Sequence, residues 1–266
     1  MKTPRLTAII LRLLLIGAIV APVSVAWANE ILEEIVEQNY PIDLGAKFTL
    51  QNDDGSVMIY GAPIAEMKLQ ARKKAYSRER LRKINVDVSV SPGAVAVKTG
   101  YPLKPKWGLS DRSGTVDYVI ILPWQCDVER VELGNGEMVI DGMRGNELHA
   151  QLGNGRLFGH NCFSENIKLS IGSGALEISY DWWENHPIAI ETTIAAGNTR
   201  LLIPGQAKLH LHAETANGNI FSDFNNQENP TRRGQAKVDF RIGATPNAEM
   251  KIHAQDGSIN INEYNP

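Results

Sequence analysis

Two tryptophans in succession, flanked by carboxylates and a histidine, make Tyr180-Asp181-Trp182-Trp183-Glu184-Asn185-His186-Pro187 the segment richest in side chains able to hold a ligand. Trp182 and Trp183, flanked by carboxylates, could stack on sugar rings, whose apolar faces favour aromatics, and with Glu184 and His186 they are the candidate ligand-binding residues. The same rings serve as well as a lid on an apolar core, the commoner use of large aromatic side chains. A second group, His210, His212 and Glu214, alternates with Leu209, Leu211 and Ala213, and His253 falls at a matching offset. His-X-His can place two imidazoles on one metal. A strand, however, holds residues i and i+4 too far apart for easy shared ligation. These residues read as the polar side of an alternating strand, and no metal or other cofactor is expected.

A third group is basic. Lys68 to Lys83 holds eight Lys and Arg residues opposed only by Glu79. Arg72, Lys73, Lys74, Arg78, Arg80 and Arg82 are the candidate electrostatic contact, for lipid headgroups or an acidic polysaccharide, each worth about 1 kcal/mol against an anionic surface. Clustered charge is more often a solvated face. Catalysis finds less to stand on. Glu132, Glu137, Asp141, Arg144 and Arg156 could line the face of a polysaccharide-cleaving β-helix, but alternation alone would turn them outward, and no pair has the spacing glycoside hydrolysis needs. Gly172-Ser173-Gly174 lacks the flanks of a hydrolase elbow. There is no phosphate loop and no dinucleotide fingerprint.

The elements that must position these residues repeat. Gly55, Gly136, Gly155, Gly174, Gly197, Gly218 and Gly257 each sit in a small polar turn between alternating apolar residues, and Gly136, Gly155 and Gly174 are 19 residues apart. Gly197 follows after 23, Gly218 after 21 and Gly257 after 39. Relative to these glycines, Leu133, Leu152, Ile171 and Ile194 stand three before, Val131, Ala150, Leu169 and Thr192 five before, and Met138, Leu157, Leu176, Ile220 and Ile259 two after. These are period-two positions, so each coil is one strand before the glycine and one after it, with these residues turned inward. One coil cannot bury its own apolar face, so the coils must stack. The expected fold is a single-domain, all-β β-solenoid with coils of about 19–23 residues. An antiparallel β-sandwich is the alternative, because Asn-Gly and Asp-Gly are also favoured hairpin turns.

The ends carry separate signals. Lys2, Arg5 and Arg12 precede an apolar run from Leu13 to Val25 and then Ala26-Trp27-Ala28, the pattern of a secretory signal peptide over 1–28 cleaved before Asn29. The run is shorter than the roughly 20 apolar residues that span a bilayer, and no later stretch is apolar enough to do so. Cleavage leaves 24 basic against 30 acidic residues, a net charge of −6 that argues against a nucleic-acid partner. Segment 29–44 reads as an N-terminal cap, with helical spacing in Glu30 to Gln38 before Pro41. The domain proper is 45–266, with a basic excursion at 68–84 that has room for a helix from Ser77 to Ile84. Cys126 and Cys162 would lie in an oxidising compartment. Two coil steps of about 4.8 Å exceed the Cα separation of roughly 7 Å that a disulfide tolerates, so separate buried thiols are expected.

The stretch 50–61 (LQNDDGSVMIYG), the strand ending Ile121-Leu122-Pro123, and the coils LGNGEMVIDGMRG (133–145), LGNGRLFGHN (152–161) and IGSGALEISY (171–180) resemble the bacterial adhesin-like β-solenoid family of unknown function. The likeness covers most of residues 45–262. It implies an envelope or surface location and an adhesive or binding role, and it carries no catalytic residues; with the signal pattern, the expectation is an exported protein at the periplasm, cell surface or outside the cell, with a glycan or an envelope surface as its partner. A non-enzymatic binding protein is therefore the leading expectation. A polysaccharide-active β-helix enzyme and a purely structural envelope protein are the alternatives.

Overall fold

The computed structural model describes residues 31–91, 93–103, 113–224 and 234–264. The segment 1–28, expected from sequence to be a signal peptide, lies outside the described residues. The elements in chain order are β1 (Leu32–Pro41), β2 (Lys47–Ala62), β3 (Glu66–Ala75), α1 (Arg78–Arg82), β4 (Asn85–Ser91), β5 (Ala94–Gly100), β6 (Thr115–Pro123), β7 (Asp127–Asp141) and β8 (Glu147–His160). They continue with β9 (Asn166–Ser179), β10 (Ile188–Pro204), β11 (Leu209–Gly218), β12 (Ile220–Ser222), β13 (Gly234–Ile242), β14 (Ala248–Asp256) and β15 (Ile259–Tyr264). Strands β2, β7, β8, β9 and β10 each run through a central glycine and pair in parallel along both limbs. In-register parallel pairing one coil apart is a solenoid, and it excludes the antiparallel sandwich.

The glycines form a column. Gly55 pairs with Gly136, Gly136 with Gly155, Gly155 with Gly174, and Gly174 with Gly197. Their φ values, +139° at Gly136 and +134° at Gly155, lie where L side chains rarely go. A Cβ on Gly155 would stand 1.8 Å from the Gly136 carbonyl oxygen. The same corner carries a polar ladder in which Asn135 donates to Asp54 at 2.9 Å and Asn154 to Asn135 at 3.0 Å. Inward positions are filled as the alternation demands: Phe48, Leu50, Val57, Ile59, Val131, Leu133, Met138, Ile140, Leu152 and Leu157 are all buried. Each such side chain contributes about 1.5–3 kcal/mol relative to exposure.

The stacking order departs from chain order at both ends. β14 and β15 insert between β10 and the pair β11–β12, so the glycine column runs Gly197, Gly257, Gly218. Near the other end, β5 and β6 form a coil on the far side of β2 from β7. A sequence repeat gives the number of coils but not their spatial order, since every coil offers the same backbone ladder to either neighbour. Antiparallel strands close the stack: β4 on β5, β3 on β6 with β1 on β3, and β13 on β11.

Two expectations are corrected here. The helical spacing read in Glu30 to Gln38 does not give a helix over 32–38, which belong to strand β1, with Leu32, Val36 and Tyr40 packed toward the core. Apolar residues four apart share a face in a strand as well as in a helix, so the spacing could not discriminate. The basic stretch 68–84 is not an excursion. Its first half is β3, whose Met67, Leu69 and Ala71 are buried, and whose outward cations face the acidic β1 across the ladder. Its second half does hold the short helix α1, capped by Ser77, which accepts from the Arg80 N–H.

Cys126 and Cys162 are free and buried. Burial pushes both thiols up to about 12, so neither is a ready nucleophile.

The glycine column predicts a steep positional contrast. Gly155→Ala should cost about 3 kcal/mol or more, a fall of roughly 6–12 °C in Tm. Gly45→Ala, with nothing within 4 Å of the added methyl, should stay within about 0.5 kcal/mol of the parent. Thermal unfolding followed by circular dichroism checks both, and equal losses would contradict the close approach.

Candidate functional site: an aromatic and cationic corner

The corner that joins each trailing limb to the next leading limb carries a second column. Trp124, Arg144, Phe163 and Trp182 occur at steps of 20, 19 and 19 residues. The Arg144 guanidinium carbon lies 5.6 Å from the Trp124 ring centre and 5.3 Å from that of Phe163, and Phe163 lies 6.0 Å from Trp182. Backbone bonds between successive coils fix the spacing, with Arg144 N–H to Trp124 C=O at 2.7 Å and Phe163 N–H to Met143 C=O at 2.8 Å. A guanidinium between two rings gains cation–π attraction and is held in orientation.

The loop after β9 divides its two indoles between the roles open to them. Trp183 turns in as a lid, edge-on to Tyr180 at 5.3 Å and Phe163 at 6.3 Å, and its Nε1 is buried with no hydrogen-bond partner among the described residues. Trp182 is 43% exposed on top of Phe163. Glu184 ties the loop down: it accepts from Trp182 Nε1 at 3.2 Å and pairs with Arg144. Burial raises its carboxyl, but the bonds from Arg144 and Trp182 outweigh this and leave it below the ordinary range. His186 bonds the Phe163 carbonyl through Nε2 at 2.9 Å. The four loop residues expected from sequence are thus brought together, and the column beneath them was missed. Its signal was the 19-residue step itself, applied to the corner as well as to the core.

Beside the loop lies a groove of about 980 Å³ whose lining includes His186, Pro187, His210, Arg241, Thr245 and Pro246. Asn166, Ala189, Glu249, His210 and Arg241 form one row across five strands, and the small Ala189 leaves the depression. Sequence reasoning did not reach it, because the row joins strands distant in the chain.

The other candidates resolve into paired surface charge. His210 contacts Asp239 at 2.6 Å, His212 contacts the same carboxylate at 3.3 Å, and His253 contacts Glu214 at 2.8 Å. Among the described residues no cluster has the arrangement of a metal site. In the basic stretch, Lys73 pairs with Glu34 at 2.6 Å, Lys74 with Asp117 at 2.7 Å, and Arg72 approaches Glu33 at 3.9 Å. Arg80 is buried and donates to the Pro102 and Leu103 carbonyls. Arg78 and Arg82 alone of the six are exposed without a carboxylate partner among the described residues. Of the carboxylates considered for catalysis, Glu137 pairs with Arg156 at 3.1 Å and Glu132 with Arg130.

The profile of the Toastrack DUF4097 family matches residues 46–262. Among solved structures, a "putative cell adhesion protein" from Clostridium sporogenes aligns at 17% identity and a TM-score of 0.52, covering 88% of this chain and all of the other. A "putative adhesin" from Bacteroides fragilis aligns at 11% identity and a TM-score of 0.42, covering 86% of this chain and 97% of the other. No curated protein matches the chain.

The histidine–carboxylate face predicts a pH response. The hydrogen bonds from His210 and then His212 hold the Asp239 carboxyl below its ordinary range, and that from His253 does the same for Glu214. A depressed carboxyl contributes stability that is complete above its unfolded value, about 4, and lost as the pH falls through the folded value. His210→Ala should therefore raise the Asp239 midpoint, read from carboxyl carbon shifts. An unmoved midpoint would mean that the pair does not persist in solution.

Proposed function

We propose that this chain, which belongs to the Toastrack DUF4097 family, is an exported, non-catalytic binding module of the cell envelope that engages a glycan at its aromatic corner. The observation that carries the reading is Trp182, an indole 43% exposed and tilted over Phe163 at the corner where the spacing lengthens from 19 to 23 residues. A projecting loop on a rigid stack is where binding residues concentrate, and a flat, fixed ring costs little entropy to bring against a sugar face. The adhesive description of the Clostridium sporogenes protein accords with this role. The amino-terminal pattern 1–28 supports export to the periplasm, cell surface or medium, and no helix among the described residues is long and apolar enough to cross a membrane. A non-catalytic role fits carboxylates that are engaged by arginines rather than set in opposed pairs.

The two tryptophans should separate on mutation. Trp182→Ala should weaken binding on a glycan array about tenfold or more and leave Tm within about 1 °C, since little packing is lost. Trp183→Ala should lower stability by about 2–3 kcal/mol, because it uncovers Tyr180 and Phe163. Glycan binding indifferent to Trp182 would move the site elsewhere, and release of reducing sugar would replace the module by an enzyme.

A further inference from the structure

Building on the reading of this corner as a glycan site, we propose that the Arg144 guanidinium is a subsite for a carboxylate carried by the saccharide, and that Glu184 fills it in the free protein as an internal surrogate.

The column Trp124, Arg144, Phe163, Trp182 places a cation at a level where the other three coils place rings. Its carbon over both the Trp124 and the Phe163 ring, that cation is held in place, and a guanidinium recognises a carboxylate through parallel N–H donors. Its carboxylate partner among the described residues is Glu184, which comes from the loop and not from the stack. Glu184 also takes the Trp182 indole N–H, so one carboxylate satisfies the cation and the exposed ring together. A sugar acid lying across Trp182 would present the same two groups, a ring face for the indole and a carboxylate for Arg144. Both partners of the latch are about 30% exposed, so the carboxylate can exchange without opening the core. A surrogate that must leave reduces apparent affinity by the fraction of time it is bound.

The test uses the mature chain with polygalacturonate, its fully methyl-esterified form, a neutral β-glucan and dextran sulfate, measured by isothermal titration. Polygalacturonate should bind and the ester should not. Glu184→Gln should tighten polygalacturonate about tenfold, as expected when a surrogate bound some nine-tenths of the time is removed. Arg144→Gln should abolish the preference for acid over ester, with its Tm recorded; if it does not fold, Glu184→Gln decides alone. Unchanged or weaker binding by Glu184→Gln, equal binding of the ester, or equal binding of dextran sulfate would each overturn the carboxylate subsite. Trp182-dependent binding of the neutral glucan without polygalacturonate binding would overturn it while sparing the module reading. Failure of every glycan would overturn both.

Discussion

Backbone passes so close to backbone at the glycine corner that no side-chain atom fits between successive coils. A methyl group on Gly136, Gly155, Gly174 or Gly197 would stand 1.7–1.9 Å from the carbonyl oxygen of the glycine before it. That single steric constraint sets the register of everything else. With the corners locked level with one another, leading limbs must pair in phase, trailing limbs must pair in phase, and alternate residues of both must meet inside. The Asp54, Asn135 and Asn154 ladder follows the same alignment on the outer side of the corner. So does the stack of Trp124, Arg144, Phe163 and Trp182 at the opposite corner, because equal steps along the chain become equal heights in the coil.

A stack of identical ladders has two open edges, and these are the places where the chain stops repeating. At one end β3 and β1 turn antiparallel, and the cations of β3 are answered by Glu33 and Glu34 of β1 and by Asp117 of β6. At the other end β13 turns antiparallel on β11, and the outward histidines His210 and His212 converge on its Asp239. Reversal of direction with charge on the outer strand is a recognised way of keeping a sheet edge from recruiting further strands. The basic run that looked like a contact surface is therefore largely spent inside the molecule. Of the six candidate cations, Arg78 and Arg82 on the short helix are the exposed ones without a carboxylate partner among the described residues.

The core was legible because it is local: a glycine, a period of two and a step of 19 fix which residues turn inward, and Val131, Leu133, Met138 and their counterparts are all buried. The Trp182 loop was legible as an interruption of that step. What stayed hidden depends on which coil lies next to which. Nothing in residues 209–222 or 248–264 distinguishes their ladders, so their spatial order and the groove over Ala189 could not be read. The division of labour between Trp182 and Trp183 was equally hidden, because adjacent loop residues have no fixed alternation and tertiary contact alone decides which ring turns in. Strand β1 was misread since a four-residue apolar interval is common to strand and helix.

The inserted coil has a consequence for assembly. Among the described residues, strands β11 and β12 have no parallel neighbour except β14 and β15, which lie later in the chain. As the polypeptide emerges amino end first, the coils from β2 to β10 can add one upon another, but residues 209–222 arrive before the ledge on which they rest. Until residues 248–264 stand against β10, strand β11 can pair only with β13, and the β11–β13 hairpin has no place on the stack. The final strands thus act as a keystone, and the cooperative completion of one end of the fold is tied to the last portion of the chain to appear.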